Sequence, residues 1–251
     1  MADASENAGT AVDTGTAGTA AAATRNESEW CFAWHQPAPQ TEGKTKAALQ
    51  KAAMWQPGDI ITVSFLDGDA GVQERVRKVA EEWTGSKMAN LTLDFRKNTT
   101  DTLIRISFNY AGSWSVIGTT CRQVPKGRPT MNFGWLRPGS GEAELRRVVL
   151  HEFGHALGLI HEHQSPAGGI QWNKEAVKRD LSGPPNNWPD DVIEHNMFEP
   201  ADAKETNFTP LDRASIMLYP IPASWTINGF SVGLNGELSS TDKQFIRQQY
   251  Q

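Results

Sequence analysis

Between positions 151 and 163 the chain reads HEFGHALGLIHEH, which gathers four of its six histidines and two glutamates into one short run. Imidazole and carboxylate are the side chains that hold transition metals and move protons near neutral pH. On a helix, His151 and His155 project from the same face one turn apart and can offer two neutral ring nitrogens to one ion. Glu152, one position on from His151, points aside from that axis. From there it can reach a metal-held water without being a ligand, which is where a general base is needed. Gly158 lets the chain leave the helix through a left-handed residue, so that His161 can approach the same ion from another direction. Three protein ligands leave a coordination position for water, as a catalytic rather than a closed structural zinc site requires. The spacing HExxHxxGxxH therefore predicts one catalytic Zn2+ ion on His151, His155 and His161, with Glu152 as the base. His163 would close the site as a fourth ligand, so a place behind the ligands or at the rim is expected for it. His35 and His195 have no motif around them, and surface or interface positions are expected.

These residues need elements to position them. DIITVSFLDGD alternates up to a Gly/Asp turn and predicts a strand from Ile60 to Leu66. In GVQERVRKVAEEWTG, Val72, Val76, Val79, Ala80 and Trp83 fall at helical spacing, and the helix ends at Gly85. LTLDFRK and TLIRISFNY predict strands over Leu91 to Phe95 and Leu103 to Tyr110, and TMNFGWL a short further one. EAELRRVVLHEFGHA is a long helix with Leu145, Val148, Val149, Phe153 and Ala156 on its apolar face, and it carries the histidines. Beyond a seam near Gly158 the text is rich in Gly, Pro, Asn and Asp and predicts a mostly irregular half. LSSTDKQFIRQQY closes the chain as an amphipathic helix that starts at a Ser/Thr cap. The fold class expected is α+β, one domain with a small, mainly parallel sheet.

The chain has 251 residues, 38% of them hydrophobic, enough for a real core, and a net charge of −5. No Lys/Arg block tracks nucleic acid, and no apolar run reaches the length of a membrane helix, so neither partner is expected. The Ala/Thr/Gly-rich start has little to bury and does not read as an intact signal peptide. Residues 1–45 are expected to be a flexible tail or pro-segment and 46–251 the folded domain, a monomer. WCFAWHQPAPQ suggests an extended segment laid over a surface rather than a regular element. Cys31 and Cys121, the two cysteines, could form a disulfide in an exported protein or remain two thiols in a reducing compartment. Sequons at Asn26, Asn90, Asn98 and Asn207 matter only in a eukaryotic secretory pathway.

HEFGHALGLIHEH resembles the zinc signature of the metzincin metallopeptidases, and Glu162 directly after the third histidine resembles their astacin branch. SIMLY, Ser215 to Tyr219, is similar to the astacin Met-turn. The resemblance implies that Met217 is a floor beneath the three histidines. It implies too that Tyr219 is an additional, displaceable zinc ligand that stabilises the reaction's oxyanion. SWSVIG, Ser113 to Gly118, is similar to the edge strand of the family's cleft, where an extended substrate adds as a strand. LSSTDKQFI resembles its closing helix. Glu162 is expected to make a salt bridge or hydrogen bond rather than do chemistry. The implied function is a secreted zinc endopeptidase acting on protein or peptide substrates. Two cysteines permit at most one of the family's usual two disulfides, and Ser113 stands at a usual cysteine position, which points to a divergent, microbial-type relative. FLDGD superficially fits the family's inhibitory propeptide stretch, but directly after a strand it reads as a turn. Cys31 or His35 could instead cap the metal in a latent form. Which of Arg213, Trp225 and the neighbouring loops line the specificity pocket is not legible.

Overall fold

A computed structural model describes residues 31–34 and 51–251, apart from Ser86, Pro185 and Glu205. Among the described residues six strands form one sheet in the order β1-β5-β6-β4-β2-β3. They are β1 (Cys31–Trp34), β2 (Ile60–Phe65), β3 (Thr92–Phe95), β4 (Ile104–Ser107), β5 (Ser113–Val116) and β6 (Met131–Phe133). All neighbours run parallel except β5 and β6. The expected α+β class with a small, mainly parallel sheet is what the chain adopts. Two expectations change. WCFAWHQPAPQ was to be extended without regular structure, yet Cys31–Trp34 is a strand. SWSVIG was to be an edge, yet β5 is paired on both sides, because β1 takes the backbone groups an edge strand leaves open.

The turn after β2 shows why strand gives way to helix there. Asp67 accepts hydrogen bonds from the Phe108 N–H (2.7 Å) and the Ser107 hydroxyl (2.6 Å), binding the end of β2 to the end of β4. Asp69 then caps α1 (Ala70–Ala80) by accepting from the Gly71 and Val72 amides, so FLDGD is a strand-ending turn. Trp83 follows α1 in a short 3-10 turn and is fully buried. Between sheet and helices runs a row of phenylalanine rings. Phe65 stacks on Phe95 (5.9 Å between centroids) and Phe108 (6.2 Å), and Phe95 meets Phe153 of the next helix at 6.5 Å.

That helix, α2 (Glu142–Ala156), lies against α1 and against β1, β5 and β6. Every residue from Val148 to Ala156 is buried. A helix buried this far must satisfy its terminal carbonyls inside the protein. Gly158, at φ +99°, reverses the chain. The Leu159 amide then donates to the Gly154 carbonyl (3.0 Å) and the Gly158 amide to that of His155 (2.8 Å), the pairing of a Schellman motif. Trp55 donates its indole N–H to the Ala156 carbonyl (2.9 Å), and the Tyr250 hydroxyl donates to that of Leu157 (2.6 Å).

The half after Gly158 is mostly irregular, as expected, and holds two short helices before the closing one: α3 (Lys174–Ser182) and α4 (Asp190–Ile193), which runs on into a π turn over Glu194–Phe198. α3 begins where the Asn173 side chain accepts from the Ala176 amide, and it buries Ala176, Val177 and Leu181. α5 (Ser240–Gln249) closes the chain from a Ser239/Asp242 capping box. Asp242 also accepts from the Ser215 hydroxyl (2.7 Å) and the Ile216 amide (2.9 Å), which staples the helix to the SIMLY loop. Cys121 is a buried free thiol whose pKa burial pushes up to about 11. The side chain of Cys31 lies outside the described residues.

Replacing Asp242 by Ala leaves the Ile216 and Ser239 amides without their acceptor. Urea unfolding is expected to show a loss of about 2 kcal/mol or more, since each stranded buried donor costs on the order of 1–3 kcal/mol.

Candidate metal centre

α2 and the segment after it deliver three imidazoles to one point. The ring nitrogens that His151, His155 and His161 can offer lie within 4.8 Å of one another, and all three residues are buried. Among the described residues this is the one such cluster of His, Cys, Asp or Glu. Backbone carbonyls decide which nitrogen of each helical histidine faces it. His151 Nδ1 lies 2.8 Å from the Ile216 carbonyl and His155 Nδ1 2.8 Å from the Leu159 carbonyl. A carbonyl only accepts, so both Nδ1 atoms carry the proton and both Nε2 atoms present a lone pair. His155 Nε2 is 3.2 Å from His161 Nε2, and His151 Nε2 is buried with no hydrogen-bond partner among the described residues. Burial, with the neighbouring His155, holds His151 well below the usual imidazole range, so it stays neutral. Converging neutral lone pairs in a dry site fit a bound cation, and nitrogen-only donors suit a transition metal rather than calcium or magnesium.

The SIMLY loop lies beneath this cluster. Ile216 supplies the carbonyl that orients His151, and its own amide is held by Asp242. Met217 is buried, and its sulfur packs so closely that a Cβ on Gly154 would stand 2.4 Å from it. Any side chain at Gly154 would therefore push the methionine below it aside, a constraint that HExxH spacing does not reveal. The Glu162 amide donates to the Met217 carbonyl (3.0 Å), and a Glu162 carboxylate oxygen accepts from the Asp212 amide (2.9 Å). Burial raises the Glu162 pKa to about 7. Glu162 thus joins the segment carrying His161 to the loop carrying Met217 through hydrogen bonds.

Tyr219 is buried with its ring 4.1 Å from that of His161 and 5.9 Å from that of His151. Glu152 is fully buried on α2 between the two helical histidines. His163 is buried beside the cluster but not in it. Its Nε2 donates to the Asn196 carbonyl (2.8 Å), and burial pushes its pKa down to about 4. His195 is partly exposed and pairs with Glu199 at 2.8 Å, and His35 lies outside the described residues. Of the two residues left open for the specificity pocket, Trp225 is buried and donates to Asp180 (2.8 Å). Arg213 lies over Phe230 at 4.6 Å. Among the described residues no helix is long and apolar enough to cross a membrane.

No protein-family model matches the chain, and no curated protein matches it. Solved structures do. One structure of myroilysin is 41% identical, superposes with a TM-score of 0.77, and the match covers 80% of this chain and 97% of that one. A second, a crystal structure of myroilysin, is 38% identical with a TM-score of 0.64, covering 88% of this chain and 90% of the other. Identity at this level over this coverage, together with a histidine cluster able to hold a metal, identifies the chain as a member of the myroilysin family of metallopeptidases.

Proposed function

We propose that the protein is a zinc-dependent endopeptidase of the astacin-like metzincin branch, working as a secreted monomer on protein or peptide substrates. The observation that carries this reading is the convergence of three buried ring nitrogens, two of them fixed in tautomer by backbone carbonyls. His151, His155 and His161 would hold one Zn2+, with Tyr219 as an additional ligand. A zinc ion held there would supply a Lewis acid that makes water acidic enough to be deprotonated near neutral pH. Glu152 takes the proton of the attacking water and delivers it to the leaving amide nitrogen. The Tyr219 hydroxyl donates a hydrogen bond to the developing oxyanion. Full burial of Glu152 keeps bulk water from competing for that proton. The astacin branch is favoured by Glu162 and by the tyrosine two residues after Met217.

A second reading, that the full chain is latent, is favoured by the sheet. β1 pairs with β5 in parallel from Cys31↔Ser113 to Trp34↔Val116, on the side where an extended substrate would add. In this reading residues 1–45 are an inhibitory pro-segment and 46–251 the catalytic domain.

Two experiments test these readings. Glu152→Gln is expected to retain one equivalent of zinc by atomic absorption while casein hydrolysis falls at least about a hundredfold, the scale of general acid–base catalysis. Wild-type activity is expected to vanish with chelator and return with zinc. Undiminished hydrolysis by the zinc-loaded variant contradicts the mechanism. For latency, removing residues 1–45 is expected to raise the rate of casein cleavage over that of the intact chain, and equal rates contradict it.

A further inference from the structure

His163 belongs neither to the three-histidine cluster nor to the proposed chemistry, yet it is built into the site. Its ring stacks on Tyr219 (5.1 Å, 28°) and on His161 (5.3 Å, 17°), and Trp172 meets it edge-on (5.9 Å, 86°). With the 4.1 Å contact between His161 and Tyr219, three aromatic rings form one closed triangle. The hydrogen bond to the Asn196 carbonyl puts the proton on Nε2. It leaves Nδ1 a buried lone pair with no hydrogen-bond partner among the described residues.

The acceptor explains how the ring is held. Asn196 lies in the π turn at the end of α4, where the last carbonyls have no partner further along the helix. The chain leaves that turn extended at Glu199 and then meets Pro200, which has no N–H to offer. Two consecutive side chains meet this need from outside. His163 donates to the Asn196 carbonyl (2.8 Å) and Gln164 to that of His195 (2.9 Å). A buried aromatic ring is thus fixed in rotation at one end by a helix terminus and lies flat against Tyr219 at the other.

We propose that His163 is a positioning residue for Tyr219: a locked, flat wall that sets the orientation of the phenol. The inference rests on the role proposed above for Tyr219, but its structural part does not require hydrolysis. Losing such a support around a metal site typically costs about 10- to 100-fold in activity.

Three tyrosines occur in the chain, at 110, 219 and 250. Labelling with 3-fluorotyrosine therefore gives three fluorine resonances, and the one absent from Tyr219→Phe belongs to Tyr219. In His163→Leu, similar in bulk but without a flat ring, the Tyr219 resonance is expected to shift or broaden. The Tyr250 resonance, from the buried C-terminal end, should stay in place and report an intact fold. His163→Phe keeps the ring and should displace the Tyr219 signal less. A wild-type Tyr219 signal in the Leu variant, or equal displacement of the Tyr219 and Tyr250 signals in either variant, overturns the proposal. In zinc-loaded enzyme, His163→Leu should lower kcat about 10- to 100-fold with KM within about twofold. That loss should shrink to less than about threefold in a Tyr219→Phe background. Equal losses in both backgrounds also overturn it. If the protein cuts no substrate either intact or after removal of residues 1–45, the peptidase reading fails while the fluorine spectra still decide the role of His163.

Discussion

A helix that ends inside a protein must find partners for its last carbonyls, and the site is organised around the way α2 does this. Its second half is buried residue by residue, so water is not available there. Gly158 turns the chain back and lets two amides pair with carbonyls of the final turn. Trp55 and Tyr250, from opposite ends of the described domain, donate to the next two. The same reversal that satisfies the helix end places Leu159 where its carbonyl accepts a hydrogen bond from His155 Nδ1, and carries His161 to the two helical histidines. Termination of the helix and assembly of the cluster are one event in the chain.

The second dependency runs from the C-terminus. Asp242 caps α5 and in the same gesture holds Ser215 and the Ile216 amide. The Ile216 carbonyl then fixes His151. Met217, one residue on, packs against Gly154 from beneath. A carboxylate in the closing helix is therefore two steps from an imidazole of the histidine cluster. Outer partners of this kind set ligand orientation and tautomer, and so the direction of the lone pairs.

What was legible in the sequence was what leaves a local trace. The apolar spacing of Leu145, Val148, Val149 and Phe153 announced α2, and the strands around Ile61, Leu93 and Ile104 announced most of the sheet. The positive φ at Gly158 and the Ser239 cap are local chemistry and were readable as such. β1 was not, because four residues near Pro37 and Pro39 become a strand only through pairing with β5, about eighty positions away. α3 is short, sits among Gly- and Pro-rich turns, and depends on an Asn173 cap. Within the site, the convergence of His151, His155 and His161 follows from spacing. The place of His163 depends on the carbonyl of Asn196, thirty-three positions on, and no periodicity records that contact.

In the proposed site three histidines, and not four, face one zinc ion. Crystals grown with zinc and measured on either side of the zinc absorption edge test it most directly. One anomalous peak is expected about 2.0–2.1 Å from Nε2 of His151 and His155 and from a ring nitrogen of His161, with His163 still bonded to the Asn196 carbonyl. A peak coordinated by His163, or the absence of any peak at the cluster in zinc-saturated crystals, would contradict it.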